Sequence, residues 1–213
     1  MTDFAAARRH MVDGQVRTAD VTDLRLITAM QEVARERFVA EPGLAYIDFD
    51  VPVGVSRRLL KPMVLAKLIQ ALDLSPSDRV LDVACATGYG AAVLARMAGE
   101  VTALEQDDAL AKSAAAALSP LPNVHAVVGM LTEGWPVGAP YDAILLEGAT
   151  EMVPHALCRQ LKDGGRLACV LGAGPGAKAI VYHRSGDEVG GRPIFDAAAS
   201  VLPGFIKPPV FAF

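Results

Sequence analysis

Small residues and carboxylates lie where two apolar runs of this sequence end. The apolar run at residues 80–84 ends at Ala84, and Ala86 and Gly88 follow it. Such small side chains let a backbone pass close to a ligand. A helix begins after this turn, so its free N–H groups lie at the same place. Glu105 ends the next apolar run, about 20 residues further on, where a carboxylate can accept both hydroxyls of a ribose. The spacing therefore predicts a site for a nucleotide-like ligand.

Two kinds of cofactor suit such a strand–turn–helix unit. A dinucleotide site has the pattern G-x-G-x-x-G, in which backbone amides approach a pyrophosphate. Here the small residues have the spacing x-A-x-A-x-G and follow Asp82, which matches the D/E-x-G-x-G-x-G pattern of S-adenosylmethionine (AdoMet) sites. Because two of the three glycines are replaced by alanine, the motif taken alone also allows a tight turn that binds no ligand.

The elements that must position these residues alternate along the chain. Helices are expected at residues 62–72, 88–98, 107–118 and 151–161, and strands at 79–84, 101–105, 124–128, 141–147 and 166–171. Such alternation predicts an α/β fold with a Rossmann-like, doubly wound and mostly parallel sheet. A turn at Gly164-Gly165 precedes the last of these strands. A further strand is expected at 177–184, with a hairpin connection at Gly186 to Gly191.

The ends of the chain differ from this core. Residues 1–40 predict an N-terminal helical extension, with a break around Gly14 and a second helix capped by Asp23. Residues 41–62 contain prolines and apolar residues without periodicity, which predicts a packed loop. We expect one domain over 1–213, with the helices and a substrate-side loop in 1–62 and the α/β core and C-terminal strands in 63–213. The apolar tail 208–213 predicts an edge strand, docked or shared in a homodimer.

Composition excludes several classes of protein. A net charge of −4 and a pI near 5.6 argue against nucleic-acid binding, which usually needs a basic face. No run approaches the ~20 apolar residues of a membrane span, and no signal-peptide segment is found. Three cysteines without metal-type spacing predict reduced core residues in a cytoplasmic protein, with no disulfide and no metal site.

Several phrases resemble the protein-L-isoaspartate O-methyltransferase family, in the same order and over nearly all of residues 11–172. The AdoMet motif V-L-E-I-G-T-G-S-G-Y-Q-A-A-V-L-A is similar to residues 80–95. The other phrases resemble V-P-R-E-x-F-V (33–39), A-Y-x-D…P-x-G (45–54), G-W-P…A-P-(F/Y)-D-A-I (134–144) and Q-L-K-x-G-G-R-L (160–167). The chain is thus identified as a divergent member of that family.

The resemblance implies a class I AdoMet-dependent methyltransferase fold, with S-adenosyl-L-homocysteine (AdoHcy) as product. It implies that Glu105 binds the ribose hydroxyls and that the 84–88 loop surrounds the amino acid portion. The full set of expected cofactor contacts is Asp82, Ala84, Cys85, Ala86, Gly88, Tyr89, Glu105, Gln106, Met130, Leu131 and Glu147. The implied partner is an isoaspartyl peptide or protein, or another carboxylate acceptor.

The sequence departs from the family on the acceptor side. Leu60 replaces the family hydroxyl that holds the isoaspartyl carboxylate, and Arg57-Arg58 replace a Q-T pair. Met130 stands in a phrase where the family has an aspartate facing the adenine. Glu147 stands where the family phrase I-V-T-A-A has a threonine. These changes predict absent or low isoaspartyl activity, which Leu60→Ser should raise.

Arg57, Arg58, Leu60 and Glu147 are therefore the candidate catalytic residues. The two arginines could clamp the acceptor carboxylate or remain solvated. Glu147 could orient an amine or hydroxyl acceptor, act as a base, or pair with an arginine, and we expect it in one pocket with both arginines. Three hypotheses follow: an isoaspartyl carboxyl methyltransferase, an AdoMet-dependent methyltransferase with another acceptor, or a non-catalytic binding or regulatory protein.

Overall fold

A seven-stranded sheet of order β5-β4-β3-β6-β7-β8-β9 forms the centre of the computed structural model, which describes residues 3–208. Strands β3 to β7 run parallel, and β8 and β9 are added antiparallel. The expected Rossmann-like, mostly parallel sheet is confirmed. The strands of this sheet are β3 (Arg79–Val83), β4 (Glu100–Glu105), β5 (Val124–Val128), β6 (Tyr141–Thr150), β7 (Leu161–Leu171), β8 (Lys178–Ser185) and β9 (Glu188–Asp196).

The helices divide unequally between the two faces of the sheet. Along each strand, alternate side chains enter two separate apolar clusters, one on each face. The first cluster contains helices α1 to α5, whereas the second is covered by the short α6 and by irregular segments. The helices are α1 (Phe4–Met11), α2 (Leu24–Glu32), α3 (Pro62–Ala71), α4 (Tyr89–Leu94), α5 (Asp108–Leu118) and α6 (His155–Cys158).

The N-terminal extension is helical, as expected, but it does not break at Gly14. The chain passes from α1 through a π-helical turn at Val12–Val16 and a 3-10 turn at Arg17–Ala19, and stops at Asp20. Val12 and Val16 are buried, so tertiary packing holds the glycine inside a helical segment. The side chain of Asp23 caps α2, as predicted, by accepting a hydrogen bond from the backbone N–H of Arg25.

Two expectations after β6 are wrong. No helix spans 151–161, because β6 continues to Thr150 and Pro154, which has no N–H to donate, immediately precedes the four-residue α6. Gly164-Gly165 do not precede β7 but lie inside it, where the pairing of β6 with β7 shifts register. Gly164 has φ = +76°, which glycine adopts without strain. The loop before β7 is therefore a bulge within a longer strand.

The remaining connections place loops over the carboxyl edge of the sheet. The 41–62 loop is packed, as expected, and contains a hairpin of two short strands, β1 (Val51–Pro52) and β2 (Arg58–Leu59). After β9 the chain returns to β6, where Val201 pairs with Ala149 in an isolated bridge. Of the tail, residues 209–213 lie outside the described part, so the edge-strand expectation stays a prediction. Within residues 3–208 there is no helix of the length and apolarity that a membrane span requires.

Candidate active site

The turn between β3 and α4 has an unusual backbone for its sequence. Ala84, Ala86 and Gly88 have φ values of +65°, +51° and +94°, in the left-handed region that favours glycine. The N–H groups of Ala84 and Cys85 both donate to the carbonyl of Leu104, at 2.9 and 3.1 Å, which anchors the turn to β4. The alanines therefore hold a conformation suited to the glycines of an AdoMet motif.

Glu105, at the end of β4, is completely buried and accepts four hydrogen bonds. Three come from backbone N–H groups: Ala86 donates to Oε2 at 2.9 Å, and Gln106 and Asp107 donate to Oε1 at 2.9 and 3.1 Å. The fourth comes from Nη1 of Arg57, at 2.9 Å from Oε1. Oε1 thus accepts three hydrogen bonds and Oε2 one, so both carboxylate oxygens are already bound by protein donors. In this conformation Glu105 is bound entirely by the protein itself.

Arg57 lies over the carboxyl ends of β3 and β4 and does not pair with Glu147. Its Nη2 also donates to the carbonyl of Ala84, at 2.7 Å, and only 4% of the residue is exposed. Arg58, the first residue of β2, is exposed and lines a different cavity. The prediction that Glu147 shares one pocket with both arginines and pairs with them is therefore wrong.

Asp82 in β3 and Glu147 in β6 bring two carboxyl groups together on one face of the sheet. Asp82 is in register with Leu145, so Glu147 is its diagonal neighbour. Glu147 lies in an irregular part of β6, where the pairing with β7 shifts between Leu145 and Ala149. Bulges of this kind often re-aim a side chain beside an active site. Glu147 is thus not at the end of its strand, as the sequence suggested, but three residues before it.

The two carboxyl groups are buried without protein donors. Within residues 3–208, neither Asp82 oxygen nor Oε1 of Glu147 has a hydrogen-bond partner. Burial, together with the charge of Glu147, raises the pKa of Asp82 well above its usual range. Burial also raises the pKa of Glu147 to about 7, although the charges of Arg57 and Arg35 oppose the rise. The pair therefore retains a proton close to neutral pH.

Gly90 in α4 leaves the space that the Glu147 carboxyl group fills. A Cβ atom at residue 90 would lie 2.1 Å from Oε1 of Glu147. The family phrase has glutamine at this place and threonine at residue 147. Compared with the family phrases, this chain has a smaller residue in α4 and a larger one in β6. The space beside Gly90 is therefore filled from β6.

Arg35 belongs to this charged cluster and was missed from sequence, where it was only one letter of a family phrase. It is completely buried and donates to the carbonyls of Ala45 and Leu60, at 2.7 and 2.9 Å. Its guanidinium lies 4.6 Å from the ring centroid of Tyr89. Burial lowers the pKa of Arg35, whereas the nearby charge of Glu147 acts in the opposite direction. Its place in that phrase was the signal the sequence offered, since the contact with Tyr89 arises only in the fold.

The other predicted site residues separate into exposed and buried groups. Met130 is 56% exposed at the end of β5, whereas Leu131 is buried and its N–H donates to the Gln106 side chain at 3.4 Å. Cys85 is buried with a free thiol, and burial raises its pKa well above the usual range. Leu60 is 2% exposed within the first apolar cluster. Its side chain therefore packs in the core.

Arg58 lines a separate cavity of about 440 Å³. Within residues 3–208 no hydrogen bond or ion pair reaches its guanidinium group. The other residues that line the cavity are Asp48, Phe49, Asp50, Lys61, Gly174, Ala198, Ala199 and Ser200. The cavity thus contains two cationic and two anionic side chains, beside the exposed ring of Phe49.

Comparisons with known proteins agree with the motifs. The sequence profile of the family Protein-L-isoaspartate(D-aspartate) O-methyltransferase matches residues 6–192. The chain is 43% identical over 184 residues to protein-L-isoaspartate O-methyltransferase 1 of Rhodopseudomonas palustris (strain HaA2), covering 84% of this chain and 75% of that one. It is 42% identical over 191 residues to the Methylorubrum populi (strain ATCC BAA-705 / NCIMB 13946 / BJ001) protein-L-isoaspartate O-methyltransferase, covering 88% and 89%.

Solved structures agree on the fold. One protein-L-isoaspartate O-methyltransferase superposes with a TM-score of 0.81 at 23% identity, covering 92% of this chain and 66% of that one. A Plasmodium falciparum structure described under the same family name, in complex with AdoHcy, superposes with a TM-score of 0.79 at 17% identity, covering 95% and 99%. The chain therefore belongs to the protein-L-isoaspartate(D-aspartate) O-methyltransferase family, and so to the AdoMet-dependent methyltransferases.

Proposed function

We propose that this chain uses AdoMet to methylate a carboxylate of a peptide or protein, and that isoaspartyl residues are the first acceptor to test. The observation that carries the proposal is the left-handed backbone at Ala84 and Ala86. An L-residue in that conformation costs roughly 1–2 kcal/mol, which a turn without a ligand has no reason to retain. Membership of the family supports the same function.

On this proposal, the residues that hold AdoMet lie along the carboxyl ends of β3, β4 and β5. The 84–88 turn surrounds the amino acid portion, Glu105 and Gln106 bind the ribose, and the exposed Met130 covers the adenine. When bound, AdoMet supplies an electrophilic methyl group. A carboxylate acceptor is already ionised at neutral pH, so the protein needs no general base and has only to position an oxygen in a dry site.

For the acceptor we propose the cavity that contains Arg58 and Lys61. Both cations can hold a carboxylate, and Phe49, 71% exposed, provides apolar surface beside it for a peptide. Leu60 has no hydroxyl to offer such a carboxylate, and its side chain packs in the core. We therefore expect isoaspartyl turnover below the family norm.

A different acceptor is the second candidate function, and Glu147 is the observation that favours it. A buried carboxyl group with a pKa of about 7 has the protonation behaviour of a general base, which an alcohol or amine acceptor would need but a carboxylate would not. The third hypothesis, a binding protein without catalysis, is favoured by the contact of Arg57 with Glu105.

We place the protein in the cytoplasm, since Cys85, Cys158 and Cys169 are free and buried.

Transfer of a labelled methyl group from AdoMet separates the three candidates. An isoaspartyl peptide should become labelled, as a base-labile ester, while the same peptide with a normal aspartyl residue should not. A protein extract serves as a parallel pool of acceptors. Label that is stable to base, on the extract alone, would favour the second candidate. AdoHcy binding without transfer to either pool would leave the third.

A further inference from the structure

We infer that Arg57 occupies the ribose position on Glu105 and must leave it before a nucleoside can bind. This inference rests on the proposed function, because it concerns how AdoMet or AdoHcy reaches the site. It assigns to Arg57 a role at the cofactor carboxylate rather than at the acceptor.

Glu105 has little acceptor capacity left for a ligand. It accepts three hydrogen bonds at Oε1 and one at Oε2, and the residue is completely buried. Three of these donors are backbone N–H groups of Ala86, Gln106 and Asp107, which the turn, β4 and the start of α5 hold in place. Arg57 is the one donor on a side chain, so it is the one that a ribose can replace.

The space around the Glu105 carboxylate is too small for a nucleoside. The cavity beside Cys85 and Glu105 has a volume of about 50 Å³, enough for one or two water molecules but not for a nucleoside. Arg57 also bonds to the carbonyl of Ala84, inside the turn that should surround the amino acid portion. The guanidinium therefore contacts both parts of the expected cofactor site, the carboxylate for the ribose and the turn for the amino acid portion.

The hairpin that contains Arg57 has few backbone pairs to hold it in place. Arg57 belongs to a hairpin whose two strands are paired at only two positions, Val51 with Leu59 and Pro52 with Arg58. The tip of this hairpin at 54–56 is exposed. A shift of the tip can withdraw the guanidinium without unpacking the sheet. The family phrase has glutamine at this place, so the exchange is a property of this chain.

Calorimetric titration with AdoHcy tests the inference. Arg57→Gln removes the charge that competes for Glu105, so we expect AdoHcy to bind about ten- to hundredfold more tightly, the factor that corresponds to one charge-assisted hydrogen bond. The matched control is Arg96→Gln, which breaks an exposed ion pair with Glu32 and should leave the affinity unchanged. The melting temperature of the ligand-free Arg57→Gln variant should fall, and saturation with AdoHcy should bring it back to that of the saturated wild type.

The outcomes separate this inference from the proposed function. Binding by both proteins with equal affinity, or weaker binding by Arg57→Gln, overturns the inference alone. No heat from either protein at millimolar AdoHcy overturns the proposed function as well. If the variant does not fold, the wild type provides the answer by NMR of arginine side chains. The Arg57 guanidinium protons should be protected from solvent exchange without ligand and exchange rapidly with AdoHcy, and protection that persists in the complex overturns the inference.

Discussion

At the scale of single residues, the carboxyl pair of Asp82 and Glu147 should make stability depend on pH. Because the pKa of Glu147 is raised to about 7, the folded state binds more protons than the unfolded chain between pH 4.5 and 7. The contribution of the protonated Glu147 to the free energy of unfolding is therefore fully present below pH 4.5 and is lost as the pH rises to about 7. In this range the wild type should lose up to ~1.4 kcal/mol of unfolding free energy per pH unit, and Glu147→Gln should abolish that loss. Urea unfolding of both proteins at pH 5 and 7.5 measures the difference, and parallel pH profiles would contradict the raised pKa of Glu147.

The two left-handed alanines lead to a prediction with opposing terms. Ala84→Gly and Ala86→Gly each relieve about 1–2 kcal/mol of backbone strain. Each also loses a buried methyl group, about 0.8 kcal/mol, and gains about 0.4–1 kcal/mol of unfolded-state entropy. We expect each change to alter the free energy of unfolding by less than about 1 kcal/mol. AdoHcy should bind more tightly to each variant, because one methyl group is gone from the turn that we propose surrounds the ligand.

The matched control for this pair is Ala91→Gly in α4. That alanine is buried like the other two but is helical, so its loss should cost about 2 kcal/mol, from helix propensity and methyl burial together. Denaturant unfolding of the three variants makes the comparison. Equal losses at all three positions would show that the turn is not strained.

Leu60 shows how burial changes an expectation drawn from a motif. Leu60→Ser restores the family hydroxyl but removes a side chain from the first apolar cluster, so unfolding should become easier by about 3–5 kcal/mol. Leu60→Ala makes a similar cavity without the hydroxyl. Turnover per folded molecule on an isoaspartyl peptide should be higher for Leu60→Ser than for Leu60→Ala. Equal turnover would mean that the hydroxyl has no part in holding the acceptor.

At the scale of elements, the charged cluster joins segments that make few regular backbone bonds. Arg35 connects two stretches of the irregular connection through the carbonyls of Ala45 and Leu60. Arg35→Met keeps most of the volume but leaves both carbonyls without their donor, which should cost about 2–4 kcal/mol of unfolding free energy. Arg37→Met, in the same 3-10 turn but exposed, should cost less than ~0.5 kcal/mol. Similar losses in thermal unfolding would contradict the bracing role of Arg35.

At the scale of the whole molecule, ligand binding should appear as stability. A ligand that binds only the folded state stabilises it by about 2.7 kcal/mol at one hundred times its dissociation constant. For a chain of this size that raises the melting temperature by roughly 5–10 °C. AdoHcy should produce this shift in a thermal scan, and adenine at the same concentration should produce less because it lacks the ribose that we propose Glu105 binds. An unchanged melting temperature at millimolar AdoHcy would contradict the assigned cofactor.

The sequence by itself determined the order of strands and helices, the place of the ligand-binding turn and the family. These properties depend on local patterns: apolar runs bounded by turns, small residues at fixed spacing, and phrases whose order is preserved. The helix expected at 151–161 failed because an extension of β6 and a proline overrode a helical pattern. Local periodicity thus identified elements well wherever tertiary pairing agreed with it.

Only the tertiary structure decided which charges meet. Glu105 pairs with Arg57, 48 residues away along the chain, and Asp82 faces Glu147 because β3 and β6 are neighbours in the sheet. The sequence placed Arg57 and Arg58 together, whereas in the fold Arg57 is buried against Glu105 and Arg58, the first residue of β2, is exposed. Contacts between distant residues depend on strand register and on the path of the loops, and neither is encoded in the spacing of the residues that finally touch.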